Sequence, residues 1–97
     1  YSRDVVILPD RVISPWWRIE GHRLQIDDVK EYLDINVDVV VIGTGYYGVM
    51  KVDENVISEF KRKGVEVYVM DTRSAVKKYN ELVGCGKRVA AFLHLTC

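Results

Sequence analysis

Val37-Asp38-Val39-Val40-Val41-Ile42-Gly43-Thr44-Gly45-Tyr46-Tyr47-Gly48 is the stretch that decides the fold of this chain. Val37 to Ile42 is nearly unbroken aliphatic, the pattern of a strand covered on both faces, as in a parallel sheet with helices above and below. The run Gly43 to Gly48 follows as a loop. Downstream, Asp53 is placed to cap a helix whose Val56, Ile57 and Phe60 form one apolar stripe, and Gly64 closes it. Val65 to Met70 alternates Val65, Val67 and Val69 with Glu66, Tyr68 and Met70, a strand with two unlike faces. Asp71-Thr72 caps a further helix, in which Ala75, Val76, Tyr79, Leu82 and Val83 keep the helical period and Gly84 marks the end. Arg88 to Leu95 is the last strand. Strand, helix, strand, helix and strand over residues 37–97 predict an α/β layer with right-handed crossovers.

Upstream the pattern is different. Val5-Val6-Ile7-Leu8 is β-branched and apolar, Pro9-Asp10 is a turn dipeptide, and Arg11-Val12-Ile13-Ser14 returns at hairpin distance, so residues 4–14 read as two paired strands. Pro15 stops the ladder by removing a donor. Trp16 to Gln25 has neither period and reads as an ordered irregular loop. Asp27 and Asp28 are placed to cap a short helix carrying Val29, Tyr32 and Leu33.

Ninety-seven residues hold one compact domain. Fourteen basic against fourteen acidic residues leave no net charge, which argues against a phosphate-driven nucleic-acid binder. Hydrophobic content of 48% with 29% charged residues excludes disorder. Two cysteines, Cys85 and Cys97, exclude a disulfide scaffold. No apolar run approaches the ~18 to 20 residues that span a bilayer. A soluble, cytoplasmic domain with no membrane segment is the expectation. Tyr1 opens the chain without an initiator Met, from which we expect residues ahead of it.

Gly43-x-Gly45-x-x-Gly48 behind a hydrophobic strand, with Asp71 ending the next one, outlines a dinucleotide-binding fingerprint. That motif needs the helix to begin inside the glycine run, so that its free N–H groups meet the pyrophosphate. Here Val49-Met50-Lys51-Val52 intervene before Asp53. A tight turn with glycine at positive φ is the plainer explanation, and a small anion on the loop the alternative. His94 and Cys97 together suggest a base and nucleophile or half a metal site. On a regular strand they point to opposite faces, and the terminal carboxylate beside Cys97 raises a thiol pKa. No paired metal spacing exists, so no metal and no cofactor are expected. Trp16 and Trp17 with Arg18 either cover an open end of the core or anchor a protein partner. Lys61-Arg62-Lys63 matches the negative end of its helix dipole.

Particular stretches go beyond a generic α/β pattern. They are Val41-Ile42-Gly43-Thr44-Gly45, Lys61-Arg62-Lys63-Gly64, Thr72, Ala75-Val76-Lys77, Tyr79-Asn80-Glu81-Leu82, Gly86-Lys87-Arg88-Val89 and the closing His94-x-Thr96-Cys97. With these the chain resembles the adipogenesis-associated Mth-type domain family, which also includes a mitochondrial complex I assembly factor. Arg3 to Ile7 and the Trp16-to-His22 loop resemble it more loosely. The resemblance implies a single three-layer α/β domain over residues 1–97, with a mixed central sheet, crossover helices and an added β-hairpin. It implies no established activity and no cofactor. It assigns Gly43, Gly45, Thr72, Asn80, Arg88, His94, Thr96 and Cys97 as signature positions.

Three functions compete. The first is a non-enzymatic interaction or assembly module that docks an unidentified protein partner on Trp16-Trp17. The second is a small-molecule or anion site in which Gly43, Thr44 and Gly45 supply backbone N–H groups, with Arg88 or His94 as countercharge. Which of the two serves depends on the direction of the last strand: parallel puts His94 near Gly43, antiparallel puts Arg88 there. The third is a thiol enzyme using Cys97. Self-association is a further expectation, because an added hairpin leaves a sheet edge to cover.

Overall fold

A computed structural model describes residues 5–9, 11–13, 23–32, 37–45 and 50–94 of the chain. The expected roles of Trp16, Trp17, Leu33, Thr96 and Cys97 lie outside the described residues. Among the described residues seven strands and three helices follow in order: β1 (Val5–Leu8), β2 (Arg11–Ile13), β3 (Arg23–Leu24), α1 (Ile26–Val29), β4 (Val39–Gly43), β5 (Lys51–Val52), α2 (Glu54–Arg62), β6 (Glu66–Met70), α3 (Thr72–Gly84) and β7 (Val89–Leu93). A single 3-10 turn, Lys30–Tyr32, extends α1.

The main sheet has the order β2-β1-β7-β4-β6. β4 pairs parallel with both β6 and β7, while the hairpin β1–β2 joins antiparallel through β1 on β7. The result is the mixed α/β sheet with an added hairpin that the family resemblance implies. β4 and β7 are buried along their whole length, as a strand covered on both faces must be. Alternation sorts their side chains into two layers. Val40, Ile42, Ala90 and Phe92 pack with Val29, Tyr32, Val56 and Phe60 on one face. Val39, Val41, Val89, Ala91 and Leu93 pack with Ala75 and Leu82 of α3 on the other. Phe92 sits between Tyr32 and Phe60, with ring centroids 5.7 and 6.0 Å away.

Both long helices end by the same device. In α2 the N–H of Gly64 (φ 80) bonds the carbonyl of Lys61, and the N–H of Val65 bonds that of Phe60. In α3 the N–H of Gly86 (φ 81) bonds Val83, and that of Lys87 bonds Leu82. These paired bonds around a left-handed residue form a Schellman motif. Gly64 therefore closes α2 as expected. Gly84, by contrast, remains helical, and Gly86 is the residue that leaves the helix.

Three further expectations are corrected. Asp27 and Asp28 lie inside α1, which starts at Ile26, because Ile26 and Val29 form the turn's inward side. The stretch Trp16 to Gln25 is not irregular throughout, since Arg23–Leu24 pairs parallel with Lys51–Val52. Asp53 stands at the N-cap of α2 without a capping bond from its side chain.

Asp71 caps α3 fully: its Oδ1 accepts from the Ser74 N–H at 3.0 Å and its Oδ2 from the Ser74 hydroxyl at 2.9 Å. At the amino end of the sheet, Asp38 Oδ2 accepts from the Arg88 N–H at 3.1 Å. These bonds hold both carboxyls below the ordinary aspartate range, Asp71 chiefly through the Ser74 backbone and Asp38 chiefly through that of Arg88.

Two predictions follow from the core and the carboxylates. Phe92→Ala is expected to cost about 3–5 kcal/mol in urea unfolding, since it empties the contact between α1, α2 and the sheet. For Asp38 and Asp71 the fold favours the ionised form, so their contribution is present above the unfolded pKa near ~4 and lost as pH falls through the lower folded values. Stability measured between about pH 5 and pH 2 should therefore fall, and more steeply in the wild type than in the Asp38→Asn/Asp71→Asn variant.

Candidate functional site

The chain leaves β4 toward β6 on one side and returns past it to β7 on the other. β4 thus stands where the order of the parallel strands reverses, with β6 on one side and β7 on the other, the switch point where open α/β sheets form a crevice beyond the strand ends. Gly43 lies opposite Leu93 in the parallel register, and the His94 N–H bonds the Gly43 carbonyl at 3.0 Å. The parallel alternative therefore holds, with His94 beside the glycine loop.

The polar residues buried in the described structure are Thr44, Thr72 and His94, and all three stand at this switch point. Thr72, the first residue of α3, joins the others. Its hydroxyl donates to the His94 carbonyl at 2.6 Å and accepts from the Gly45 N–H at 2.8 Å. Its own N–H returns a bond to the Gly45 carbonyl at 3.0 Å. Thr44 is tied to the third parallel strand: its N–H and hydroxyl both donate to the Met70 carbonyl, at 2.9 and 3.1 Å.

Glycine is required twice here. Gly45 has φ 98, a left-handed conformation that side chains resist. At Gly43 the reason is space, because a Cβ would stand 3.0 Å from Leu93 Cδ2 and from Thr72 Oγ1, and 3.1 Å from Thr72 Cα. The expected positive φ thus belongs to Gly45, while Gly43 lets α3 approach the sheet.

This geometry decides what the loop can offer a ligand. The N–H groups of Thr44 and Gly45, proposed as anion donors, are both spent on bonds inside the protein. Arg88 stands at the opposite end of the sheet, with its guanidinium 3.5 Å from Asp38, and so cannot act as countercharge to the loop. The glycine-run helix of a dinucleotide site is likewise replaced, since Lys51–Val52 forms strand β5 before α2 begins. Of the signature positions, Gly43, Gly45, Thr72 and His94 converge; Asn80 is exposed on α3 and Arg88 lies far away. Cys85 is an exposed free thiol.

Local pattern shows Thr72 as part of a cap, and the resemblance names it a signature position without giving it a role. The signal for more is that Asp71 already fills the cap, which leaves the adjoining hydroxyl free for another task.

Residues 1–94 match the family described as "protein of unknown function (DUF498/DUF598)", and the chain belongs to that family. It is 32% identical over 105 positions to NADH dehydrogenase [ubiquinone] 1 alpha subcomplex assembly factor 3 of Xenopus tropicalis, an alignment covering 95% of this chain and 56% of that protein. The chain thus spans little more than half that relative's length. Among solved structures, the conserved hypothetical protein PH1505 of Pyrococcus horikoshii OT3 superposes with a TM-score of 0.80 at 29% identity, covering all of this chain and 86% of that one. The structure titled MT938 gives 0.81 at 28% identity, covering all of this chain and 84% of the other. These neighbours share the small α/β fold.

Thr72→Val is expected to cost roughly 2–4 kcal/mol in chemical denaturation, because the Gly45 N–H and the His94 carbonyl both lose their bond to the hydroxyl in a buried place. Thr72→Ser keeps the hydroxyl and should recover most of that loss.

Proposed function

We propose that this domain is a non-enzymatic module that binds a protein partner during the assembly or regulation of a larger complex. The observation that carries this is the similarity, over 95% of the chain, to a protein named as an assembly factor. The switch point supports it in a different way. Where comparable sheets keep free donors for a ligand, the Thr44 and Gly45 N–H groups here are committed to the Met70 carbonyl and the Thr72 hydroxyl. The narrower affiliation with Mth-type domains belongs to the same proposal.

Trp16-Trp17-Arg18 supplies the residue types that dominate protein interfaces, and is the segment we assign to docking. Tagged chain purified from its own cells after mild cross-linking should carry a protein at fixed stoichiometry. Trp17→Ala should lower that recovery by about tenfold or more, the effect of losing a hot-spot aromatic. Equal recovery with Trp17→Ala would remove the docking loop from the account. Absence of any stoichiometric protein would remove the assembly role itself.

A further inference from the structure

β6 closes one side of the main sheet, and among the described residues no strand pairs with its outer edge. A groove of about 340 Å³ runs along it, lined by Lys61, Gly64, Val65, Glu66, Val67 and Tyr68. Residues 64–68 are consecutive, and in a strand their side chains alternate between faces. A space touching all of them, and Lys61 of α2, follows the open edge of the strand. Val69 of the same strand is 42% exposed. Edges left open in monomeric proteins are usually blunted by Lys, Pro or a bulge, whereas β6 carries one charge, Glu66, at its start.

We propose that this edge is the contact of a homodimer, in which β6 pairs antiparallel with β6 of a second copy across a two-fold axis. This stands independently of the assembly role. A contact of that symmetry requires a self-complementary surface, and the sequence of β6 provides one. Residues directly opposite in an antiparallel pair share a face. With Val67 on the axis, Val65 meets Val69 of the second copy, so the exposed valine is covered. Glu66 meets Tyr68 of the second copy, a carboxylate opposite a hydroxyl of the kind that already bond within one chain at 3.2 Å. Moving the axis to Glu66 would oppose two carboxylates, and moving it to Tyr68 would set Val65 against Asp71, so neighbouring registers are disfavoured.

The helix above the edge repeats the match. α2 carries Glu54 in its first turn, with Asp53 just ahead, and Lys61 and Arg62 in its last. A two-fold axis through β6 sets two copies of α2 antiparallel on the same face. Each acidic start then lies beside the basic end of the other, and the helix dipoles oppose. The self-complementary register at the strand and the charge complementarity at the helix select the same occupant, a second copy of this chain.

Sedimentation equilibrium of the full chain from about 1 to about 100 μM tests this directly. The expected result is a mass twice that of the chain at the upper end. Val69→Lys should weaken association by about tenfold or more while leaving the circular dichroism of the monomer unchanged. Val12→Lys, on the opposite edge strand, should leave association as in the wild type. Lys61→Glu should weaken it and the Glu54→Lys/Lys61→Glu pair should restore it. A monomer at every concentration would overturn the proposal, as would a dimer weakened by Val12→Lys and indifferent to Val69→Lys.

Discussion

One hydroxyl holds the carboxyl end of this sheet together. β4 and β7 are adjacent and parallel, and their register ends at Gly43 and Leu93, so the backbone groups just past each strand stand outside the ladder that satisfied the ones before. Gly45 and His94 carry those groups, in a place closed to water, where an unpaired N–H or carbonyl costs about as much as a lost hydrogen bond. Thr72 meets both needs with a single oxygen, accepting from Gly45 and donating to His94. Much of the local sequence answers to this. Gly43 has no side chain because Thr72 and Leu93 press against it, and Gly45 takes the left-handed turn that aims its N–H at the hydroxyl. The start of α3 is pinned by the same bonds, and with it Ala75 and Leu82, which cover the sheet's second face.

How much of this could be read in advance divides along the range of the interaction. Elements set by local pattern were legible: the aliphatic run of β4, the Asp71 cap, the hairpin, the stop at Gly64. α3 does end at Gly84, but the left-handed residue that closes it is Gly86, and that choice depends on backbone bonds to Val83 and Leu82 rather than on composition. Asp27 and Asp28 misled because a one-turn helix is placed by what it buries, Ile26 and Val29, more than by its cap.

The site was legible as a place and not as a mechanism. Gly43, Thr44, Gly45 and His94 were singled out and do converge. Yet the bonds that define their role join residues 22 and 27 positions apart, and no periodicity encodes such pairs. The direction of β7 is equally non-local, set by α3 crossing back over β4. Once that direction is known, Arg88 falls at the far end with Asp38, and the loop loses its countercharge. At this end of the sheet the Thr44 N–H, the Gly45 N–H and the Thr72 hydroxyl all serve to close the fold.

Amide hydrogen exchange followed by NMR at Gly45 and His94 tests the central claim most directly. If the Thr72 hydroxyl and the Gly43 carbonyl hold these groups as described, both amides should exchange as slowly as those in the middle of β4 and β7, and Gly45 should lose its protection in Thr72→Val. Exchange of Gly45 at the rate of an open loop, in a protein whose β4 amides are protected, would contradict the account.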